Sequence, residues 1–493
     1  MLLYSWLERA VKAKGTARAL IYRDTYLSWR GLLHRVDRRA GELAALGLRS
    51  GDLAGLMLGN VPDFVILSLA LSKLDCAPLP LDPTTSTREL EMLQALVPLR
   101  GLITRPRGGD VAAVAAAGGA PAVARAARPK LTPESRKRLQ GTLLSCSIYP
   151  TEPRAAAPCA DEQIAAVLVT SDSAGDPKPV ERTAANLRAE AAHLTAALGV
   201  TEEDRALLSV PLFSSFGFDV GMVACLHAGA TLCLEDEVGP ARIAKVLRDH
   251  NVTLLPGNQT LFSDLARLPA TRVNGKTVTR FLSLGGGLTG AVAAGFLQRY
   301  GARPLGCMHT TETGTVAVDG KGQAGESVGK VLDGVEIRVL DPTTGKATAS
   351  GRQGALWVRG PAVSPLALAA PALPGDNVPI GSRDSEGWLR TGDLVAIDRS
   401  KRVTLFARED DLVRIDGKRV ALGEVEGCIE GLSMVTAAQA QLIRDPLGGP
   451  MVVARVVLKD RSGAVEAETI IDHCARNLAP YKVPRRVEFC DSL

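Results

Sequence analysis

Two kinds of segment alternate along most of this chain, and this alternation constrains its fold more than any other feature. Short apolar runs bounded by Gly or Pro are typical of buried β-strands. They are the segments 53–58, 164–169, 206–210, 253–255 and 280–284. Longer stretches have apolar residues at helical spacing. Examples are Leu187, Ala191, Leu194 and Leu198, in a helix that Asn186 would cap, and the group Ile243, Val246 and Leu247. Strands that alternate with helices predict an α/β architecture.

The length of the chain predicts more than one domain. With 493 residues it exceeds one ordinary hydrophobic core. After Phe406 the sequence becomes dense in charge, with R-E-D-D-L-V-R-I-D-G-K-R-V at 408–420. We therefore predict a large domain over 1–407 and a small one over 408–493. Residues 105–128, rich in Ala, Gly and Pro, predict a surface excursion, and the proline-rich residues 361–384 predict a loop.

Charge and cysteine usage argue against several classes of protein. The net charge of +5 comes from 58 basic and 53 acidic residues that are interspersed, so we expect no nucleic-acid partner. The nine cysteines form no C-x-x-C pair, which favours reduced thiols in a cytoplasmic protein. The N-terminus does not resemble a signal peptide. The longest apolar run, 64–71, is too short for a membrane span and predicts a buried helix.

Five polar segments could carry chemistry. They are T-S-D-S-A-G-D-P-K (170–178), L-G-G-G-L-T-G (284–290), M-H-T-T-E-T-G (308–314), G-W-L-R-T-G-D-L (387–394) and the charged stretch 408–420. The first follows a predicted strand, and its hydroxyls, backbone N–H groups and Lys178 could cradle phosphates. An ordinary polar turn is the alternative, and the spacing is not that of a Walker motif. The second contains a formal G-x-G-x-x-G, which alone is weak evidence for a dinucleotide site.

The other three segments offer carboxylates beside glycine or hydroxyl residues. Glu312 among threonines could hold Mg²⁺ on phosphate, although an exposed polar loop has the same composition. Asp393, at a glycine turn, could accept two hydroxyl protons from a ribose. The stretch 408–420 could be a hinge with a nucleotide contact, or a solvated charged hairpin.

The order and spacing of these segments resemble the signature of the adenylate-forming (AMP-binding) superfamily. This superfamily includes acyl-CoA synthetases, aryl-CoA ligases, luciferases and peptide-synthetase adenylation domains. Two further segments support the resemblance: S-K-L-D-C-A-P-L-P-L-D-P at 72–83 and P-L-F-S-S-F-G-F at 211–218. The most specific matches are R-T-G-D at 390–393 and the stretch 408–420, and the resemblance runs from about Tyr26 to the C-terminus.

The resemblance implies an α/β fold with a large N-terminal domain of stacked mixed sheets and helices, and a small mobile α+β C-terminal domain. It implies an ATP-dependent acid–thiol ligase that forms an acyl-adenylate and then an acyl thioester. Its cofactors would be ATP, Mg²⁺ and coenzyme A or a carrier-protein pantetheine. Its partners would be a carboxylic acid and, for some members, an acyl carrier protein. The alternatives are a catalytically weakened homologue that serves as a partner subunit, and a ligase that loads a carrier protein.

The resemblance also assigns roles to individual residues. Phosphate would be held by Thr170, Ser171, Ser173, Gly175 and Lys178. Adenine would pack on Gly285, Gly286, Gly287, Met308 and His309. Catalysis would fall to Lys178, Thr311 and Glu312, with Glu312 as the metal ligand. Ribose would be held by Asp393 with Arg408, the hinge would be Asp410, and Gly417 and Arg419 would serve the thiol substrate. The acyl pocket would lie near 213–218, 258–262 and 285–288.

Several positions depart from the family pattern. Asp172 and Ala174 stand where the phosphate loop has Gly and usually Thr. Met308 replaces a common aromatic residue, and Ser214 replaces a common gating His. The family also has a glycine–lysine loop soon after the segment 480–489, whereas the printed sequence ends at Leu493. We therefore expect an incomplete small domain and a depressed adenylation step.

Overall fold

The computed structural model describes most of the chain. The described residues are 1–105, 135–139, 144–149, 161–171, 177–236, 239–268, 278–285, 290–320, 327–342, 344–365, 378, 380–408, 413–415, 418–420, 422–445, 449–459 and 465–490. The excursion predicted over 105–128 lies outside them except for Arg105, and the loop predicted over 361–384 is described only in part.

Eleven α-helices and one π-helix occur among the described residues. The α-helices are α1 (Leu2–Lys14), α2 (Trp29–Ala45), α3 (Pro62–Lys73), α4 (Thr87–Leu96), α5 (Ala184–Leu198), α6 (Ala224–Ala228), α7 (Pro240–Asp249), α8 (Gln259–Arg267), α9 (Gly290–Tyr300), α10 (Leu422–Glu430) and α11 (Ala467–Asn477). The π-helix is Gly217–Val223 and leads directly into α6. The buried helix predicted at 64–71 is confirmed as α3, where every residue of that run is buried.

The predicted start of α5 was wrong. Thr183, and not Asn186, caps this helix, and its side chain accepts a hydrogen bond from the backbone N–H of Asn186. The Asn186 side chain in turn accepts from the Thr183 N–H, which completes a capping box. Because threonine and asparagine are both common caps, the sequence alone did not show that the helix begins one turn earlier.

Twenty-five strands occur in the described residues. They are β1 (Arg18–Tyr22), β2 (Thr25–Ser28), β3 (Leu53–Met57), β4 (Ala77–Leu81), β5 (Leu99–Thr104), β6 (Ser135–Arg138), β7 (Ser145–Ile148), β8 (Ile164–Ser171), β9 (Pro177–Thr183), β10 (Arg205–Leu208), β11 (Thr231–Leu234), β12 (Leu254–Gly257), β13 (Arg280–Leu284), β14 (Leu305–Thr310), β15 (Gly314–Val318), β16 (Gly329–Val331), β17 (Glu336–Leu340), β18 (Gly354–Arg359), β19 (Leu389–Ile397), β20 (Arg402–Arg408), β21 (Val413–Ile415), β22 (Lys418–Val420), β23 (Val435–Asp445), β24 (Gly449–Leu458) and β25 (Arg486–Phe489). All five strands predicted from apolar runs are present.

The largest sheet has thirteen strands in the order β17-β18-β19-β20-β16-β15-β14-β13-β12-β10-β11-β1-β2. Neighbours from β1 through β11, β10, β12 and β13 to β14 are parallel, and β14 to β17 are joined by antiparallel pairs. A second, five-stranded sheet in the order β4-β3-β5-β7-β6 also mixes both senses. The predicted α/β class with mixed sheets is therefore confirmed. The β14–β15 hairpin lies where the large sheet changes from parallel to antiparallel.

The described residues form two compact units. The larger comprises residues within 1–83, 97–169 and 179–409, and the smaller comprises residues within 84–96, 170–178 and 410–493. In the larger unit one apolar cluster includes Leu56 and Ile103 of the five-stranded sheet and Leu208 and Leu232 of the large sheet. The smaller unit has its own core between β23–β25 and helices α10 and α11. The predicted boundary at 407/408 stays a prediction.

Two further sequence expectations concern the cysteines and membrane-spanning helices. The eight cysteines in the described residues form no disulfide, and burial raises the pKa of several of their thiols, as for Cys146, to about 12. No helix within the described ranges is long and apolar enough to cross a lipid bilayer.

Candidate active site

The turn of the β14–β15 hairpin carries two of the predicted catalytic residues. Thr311, Glu312 and Thr313 connect the strands, and Gly314 follows with a φ of 68°. A three-residue hairpin loop followed by a left-handed residue is a common turn, and glycine suits that φ. Here glycine is also required by space, because a Cβ on Gly314 would lie 2.4 Å from Glu190 Oε2. The turn is therefore in close contact with helix α5.

Each residue of this turn is buried and held by hydrogen bonds. Thr310 Oγ1 accepts from the Thr313 N–H at 3.1 Å, and the two threonine hydroxyls are 2.8 Å apart. Thr311 Oγ1 donates to Ser215 Oγ at 3.0 Å, and the Glu312 carbonyl accepts from the Ser364 N–H at 2.8 Å. The turn that carries Thr311 and Glu312 is thus fixed from several sides.

Behind the turn lies a cluster of four charged or titratable side chains, Arg182, Glu190, Asp219 and His309, which we call the buried tetrad. Arg182 Nη1 donates to Asp219 Oδ2 at 2.8 Å and to the Thr311 carbonyl at 3.0 Å. Both side chains of this ion pair are 0% exposed. Arg182 is the next-to-last residue of β9, directly before the Thr183 cap, and Asp219 lies in the π-helix. π-Helical turns are frequent at functional sites.

The other half of the tetrad joins α5 to the two strands of the hairpin. Glu190 accepts from the Thr315 N–H with both oxygens and from Thr315 Oγ1 at 2.6 Å. Because this hydroxyl donates to Glu190, it accepts from His309 Nδ1, which lies 3.1 Å away. The network therefore assigns a proton to Nδ1. His309 Nε2 then faces Asp219 Oδ2 at 3.9 Å.

The electrostatics of the tetrad follow from its burial and its opposite charges. Burial alone would raise the pKa of Glu190, but His309, Arg182 and the Thr315 hydroxyl outweigh it and lower the pKa from 4.5 to about 2. For Asp219 burial dominates, and the charges of Arg182 and His309 offset only part of it, so its pKa is raised. The two carboxyls of one cluster are thus shifted in opposite directions, with Glu190 firmly ionised.

Two groups in the larger unit offer metal ligands. Glu190, Asp219 and His309 have ligand atoms within 4.8 Å of one another. Arg182 already pairs with Asp219, and Glu190 already accepts from the N–H and hydroxyl of Thr315, so both carboxylates are engaged within the protein. Glu312 among threonine hydroxyls provides oxygen ligands only, which suits Mg²⁺.

The predicted ribose-binding residue lies in a distorted strand pair. Asp393 of β19 is opposite Arg408 of β20, next to a register shift at Leu394 and after Gly392, which has a φ of 78°. Its backbone N–H donates to Thr391 Oγ1 at 3.1 Å, and Asp393 is buried. The strand register thus brings together the two residues that the resemblance pairs. Their contact with a ribose stays a prediction.

The predicted adenine residues lie on neighbouring strands and point in different directions. Gly285 follows β13 with a φ of 84°, and its N–H donates to the Cys307 carbonyl of β14 at 3.0 Å. Met308 belongs to an apolar cluster with Val316 and Ala317. His309, 1% exposed at its side chain, faces the buried tetrad and meets Phe216 edge to face. Gly286 and Gly287 lie outside the described residues.

The predicted phosphate and thiol residues are described only in part. Thr170 is buried near the end of β8, where Ser171 is the last strand residue, and half-buried Lys178 lies near the start of β9. The described residues do not include four predicted site residues or two of the noted departures: Ser173, Gly175, Asp410, Gly417, Asp172 and Ala174. The strand positions of Arg408 and Arg419 are described, but their side chains are not.

Three residues of the predicted acyl-pocket segments make structural contacts, and the role of these segments in acyl binding stays a prediction. Ser214 donates to the Pro211 carbonyl at 2.7 Å and accepts from the Gly217 N–H at 3.1 Å, so it stabilises the start of the π-helix. Asn258 caps α8, and Phe262 is fully buried against Phe281 and Phe296. Residues 286–288 lie outside the described part of the chain.

Sequence reasoning missed three members of the tetrad, Arg182, Glu190 and Asp219. One signal was present, since Glu190 lies on the apolar stripe of α5, between Leu187 and Ala191. A carboxylate on a buried helical face requires a partner. Asp219 follows the segment 211–218 directly, but nothing local indicates that it pairs with Arg182, which lies 37 positions earlier.

Comparison with known proteins identifies the family. The model for AMP-binding enzymes matches residues 7–366, and the model for their C-terminal domain matches 424–493. The chain belongs to the AMP-binding enzyme family. The predicted recognition is therefore confirmed, together with its general class, a ligase of the acyl-CoA synthetase type.

Curated relatives and solved structures of this AMP-binding enzyme agree with that assignment. A feruloyl-CoA synthase of an Amycolatopsis species is 26% identical and covers 100% of this chain and 95% of its own length. A 2-succinylbenzoate–CoA ligase of Bacillus licheniformis is 27% identical over 99% of this chain and 96% of its own. The structure of the amide bond synthetase McbA from Marinactinospora thermotolerans has a TM-score of 0.80 at 23% identity, with 99% and 96% coverage. The last comparison supports the fold alone.

Proposed function

We propose that this protein is an ATP-dependent carboxylic acid–CoA ligase. The observation that carries the proposal is the β14–β15 turn, a buried and hydrogen-bonded hairpin within the family match that contains Thr311 and Glu312. Charge stabilisation at phosphorus needs such groups held in a fixed geometry. The named CoA ligases among the relatives support the thiol as acceptor.

In the first half-reaction, a substrate carboxylate oxygen attacks the α-phosphorus of ATP. The bond from that phosphorus to the bridging oxygen breaks, and pyrophosphate leaves with the electron pair. Lys178 would stabilise negative charge on phosphate. With ATP bound, the Thr311 hydroxyl would donate to an α-phosphate oxygen instead of to Ser215 Oγ. Glu312 would hold Mg²⁺, which supplies charge neutralisation on the phosphates when bound. Asp393 would accept hydrogen bonds from the ribose hydroxyls.

In the second half-reaction, the sulfur of coenzyme A attacks the carbonyl carbon of the acyl-adenylate. The carbon–oxygen bond to the phosphate breaks, AMP leaves, and the thiol proton is released to solvent. The products are an acyl thioester and AMP. Asp393 keeps the same role on the AMP moiety, so one ribose site serves both steps.

We further propose that the acid carries an aromatic ring. The support is the pair of ring-bearing acids in the names of the feruloyl and succinylbenzoate ligases, which match this chain over nearly its full length. Straight-chain fatty acids are the alternative class.

The test is incubation of the protein with ATP, Mg²⁺, coenzyme A and a panel of acids, followed by mass spectrometry of acyl-CoA and AMP. The panel contains hydroxycinnamates, 2-succinylbenzoate and fatty acids of several lengths. We expect equal amounts of thioester and AMP with a ring-bearing acid. Glu312→Gln should lower the rate strongly, whereas Glu386→Gln, at an exposed site, should not. The proposal fails if no acid yields AMP while the protein is folded; this outcome would favour a catalytically weakened homologue.

A further inference from the structure

The buried tetrad contacts the β14–β15 hairpin on both sides of Glu312. Arg182 donates to the Thr311 carbonyl, one residue before Glu312, at 3.0 Å. Glu190 accepts from the N–H and the hydroxyl of Thr315, three residues after it. His309 lies three residues before Glu312 and bonds to the same Thr315 hydroxyl. These charged groups therefore meet in the backbone that presents the catalytic turn.

These contacts determine the orientation of the backbone at Glu312. A peptide group is planar, so holding the Thr311 carbonyl fixes the plane that joins Thr311 to Glu312. The Glu312 carbonyl accepts from the Ser364 N–H at 2.8 Å, which fixes the next plane. With both planes fixed, the direction in which Cβ leaves the Glu312 Cα is set. Arg182 supplies one of these two constraints.

Stability alone does not account for the tetrad. Removing an ion pair from water is costly, and well-packed apolar residues of similar volume often stabilise a core equally well or better. Within the described residues, Asp219 Oδ1 and the Nε and Nη2 atoms of Arg182 make no hydrogen bond to protein. Unsatisfied buried groups cost further free energy. A purely structural core at this position would gain by being apolar.

We propose that Arg182 and Asp219 are positioning residues for the adenylation half-reaction: Asp219 orients the Arg182 guanidinium, and Arg182 holds the Thr311 carbonyl, so that Thr311 and Glu312 keep their reactive orientation. The proposal rests on the proposed ligase function. The other two residues of the buried tetrad, Glu190 and His309, hold the hairpin at Thr315. Neither Arg182 nor Asp219 touches the substrate in this account.

A double variant that removes both members of the Arg182–Asp219 ion pair can separate positioning from stability. Arg182→Met with Asp219→Leu removes one positive and one negative charge together, and leaves Glu190 paired with His309. Both replacements are apolar and of related size, so folding should survive. The hydrogen bond to the Thr311 carbonyl is nevertheless lost. The variant therefore separates positioning from stability.

The experiment measures ATP–pyrophosphate exchange, with kcat and KM for the acid and for Mg-ATP, together with the melting temperature. For the double variant we expect a melting temperature near that of the wild type, a kcat lower by about 10- to 100-fold, and little change in KM for the acid. Arg182→Lys keeps the charge, but its side chain is shorter and its ammonium cannot take the place of Nη1 between Asp219 and the Thr311 carbonyl, so its kcat should be intermediate. Arg242→Met, which breaks the Arg242–Glu235 pair at 2.7 Å elsewhere in the same unit, is the matched control and should keep wild-type kcat.

A double variant with wild-type kcat would overturn the positioning role and leave the ligase function intact. If the wild type itself shows no exchange with any acid, the proposed function fails first. If the double variant does not fold, Arg182→Lys tests the positioning role instead. A folded Arg182→Lys protein with a lowered kcat supports that role, and one with wild-type kcat refutes it.

Discussion

Two groups of charged residues in the larger unit use the same chemistry in opposite environments. In the buried tetrad, Arg182 and Asp219 are both 0% exposed and 2.8 Å apart. Two ion pairs lie at the edge of the large sheet. One joins β17 to β18, and the other joins β17 to the residues before β19. Arg359 contacts Glu336 at 2.6 Å, and Arg338 contacts Glu386 at 2.8 Å, with side-chain exposures from 40% to 62%. We call these four residues the exposed ladder; its two arginines stack on the buried ring of Trp388.

The difference is in what the neighbours supply. In the exposed ladder, water screens the charges. The two guanidinium groups are also stabilised by cation–π contact with Trp388: the Cζ atoms of Arg338 and Arg359 lie 3.9 and 4.5 Å from the centroid of its ring. Arg359 lowers the pKa of Glu336 below its usual value, without burial. In the tetrad, each charge is stabilised by its partner, because a buried charge that loses its partner is not solvated by water in its place. The same residue types therefore form solvent-screened surface ion pairs in one region and a buried support for the Thr311–Glu312 turn in the other.

The largest expected effect is the loss of one partner inside the tetrad. Arg182→Met alone leaves two buried carboxylates without the guanidinium and should lower the free energy of unfolding by about 3–5 kcal/mol. Chemical denaturation measures this value. The double variant Arg182→Met with Asp219→Leu should recover most of the loss. If the single variant is as stable as the wild type, the contrast between the two regions does not hold.

The next effect concerns the aromatic ring on which the arginines of the exposed ladder stack. Trp388 is 4% exposed and packs against Trp357 and Ala355. Trp388→Ala should cost about 3 kcal/mol, mostly from lost packing. Trp388→Phe keeps an aromatic face for both arginines and should cost much less. Equal losses for the two variants would show that the ring does not support the ladder.

A third prediction uses acid to test the tetrad. The folded-state pKa of Glu190, about 2, is below its ordinary value of 4.5, so its ionised form stabilises the fold above pH 4.5. This contribution is lost as the pH falls from 4.5 towards 2, with a slope of up to about 1.4 kcal/mol per pH unit. Glu190→Gln should therefore show a flatter pH dependence of unfolding free energy in that window. An unchanged slope would place the acid sensitivity elsewhere.

The smallest effect is expected at an exposed pair. Arg338→Met should change the free energy of unfolding by about 0.5 kcal/mol or less, and the difference should shrink at 1 M salt. The Arg182→Met loss should persist at the same salt concentration. A large, salt-resistant effect at Arg338 would contradict the distinction between the two regions.

The sequence was sufficient for the fold and the family because the relevant signals are local. Apolar runs such as 280–284 predicted strands, and the spaced motifs around Thr311, Asp393 and Arg408 predicted the ligase class. The tetrad could not be predicted in this way. Arg182, Asp219 and His309 are far apart in sequence, and only the tertiary fold brings β9, the π-helix and β14 together. The cap of α5 was misplaced because Thr183 and Asn186 form a reciprocal pair.

The central claim is that a carboxylate oxygen attacks the α-phosphorus of ATP, and an oxygen label tests it most directly. The protein is incubated with a ring-bearing acid labelled with ¹⁸O in its carboxylate, together with ATP, Mg²⁺ and coenzyme A, and the phosphate-containing products are analysed by mass spectrometry. The account predicts one ¹⁸O atom in AMP for each thioester formed. Label in inorganic phosphate with formation of ADP, or thioester without labelled AMP, would contradict it.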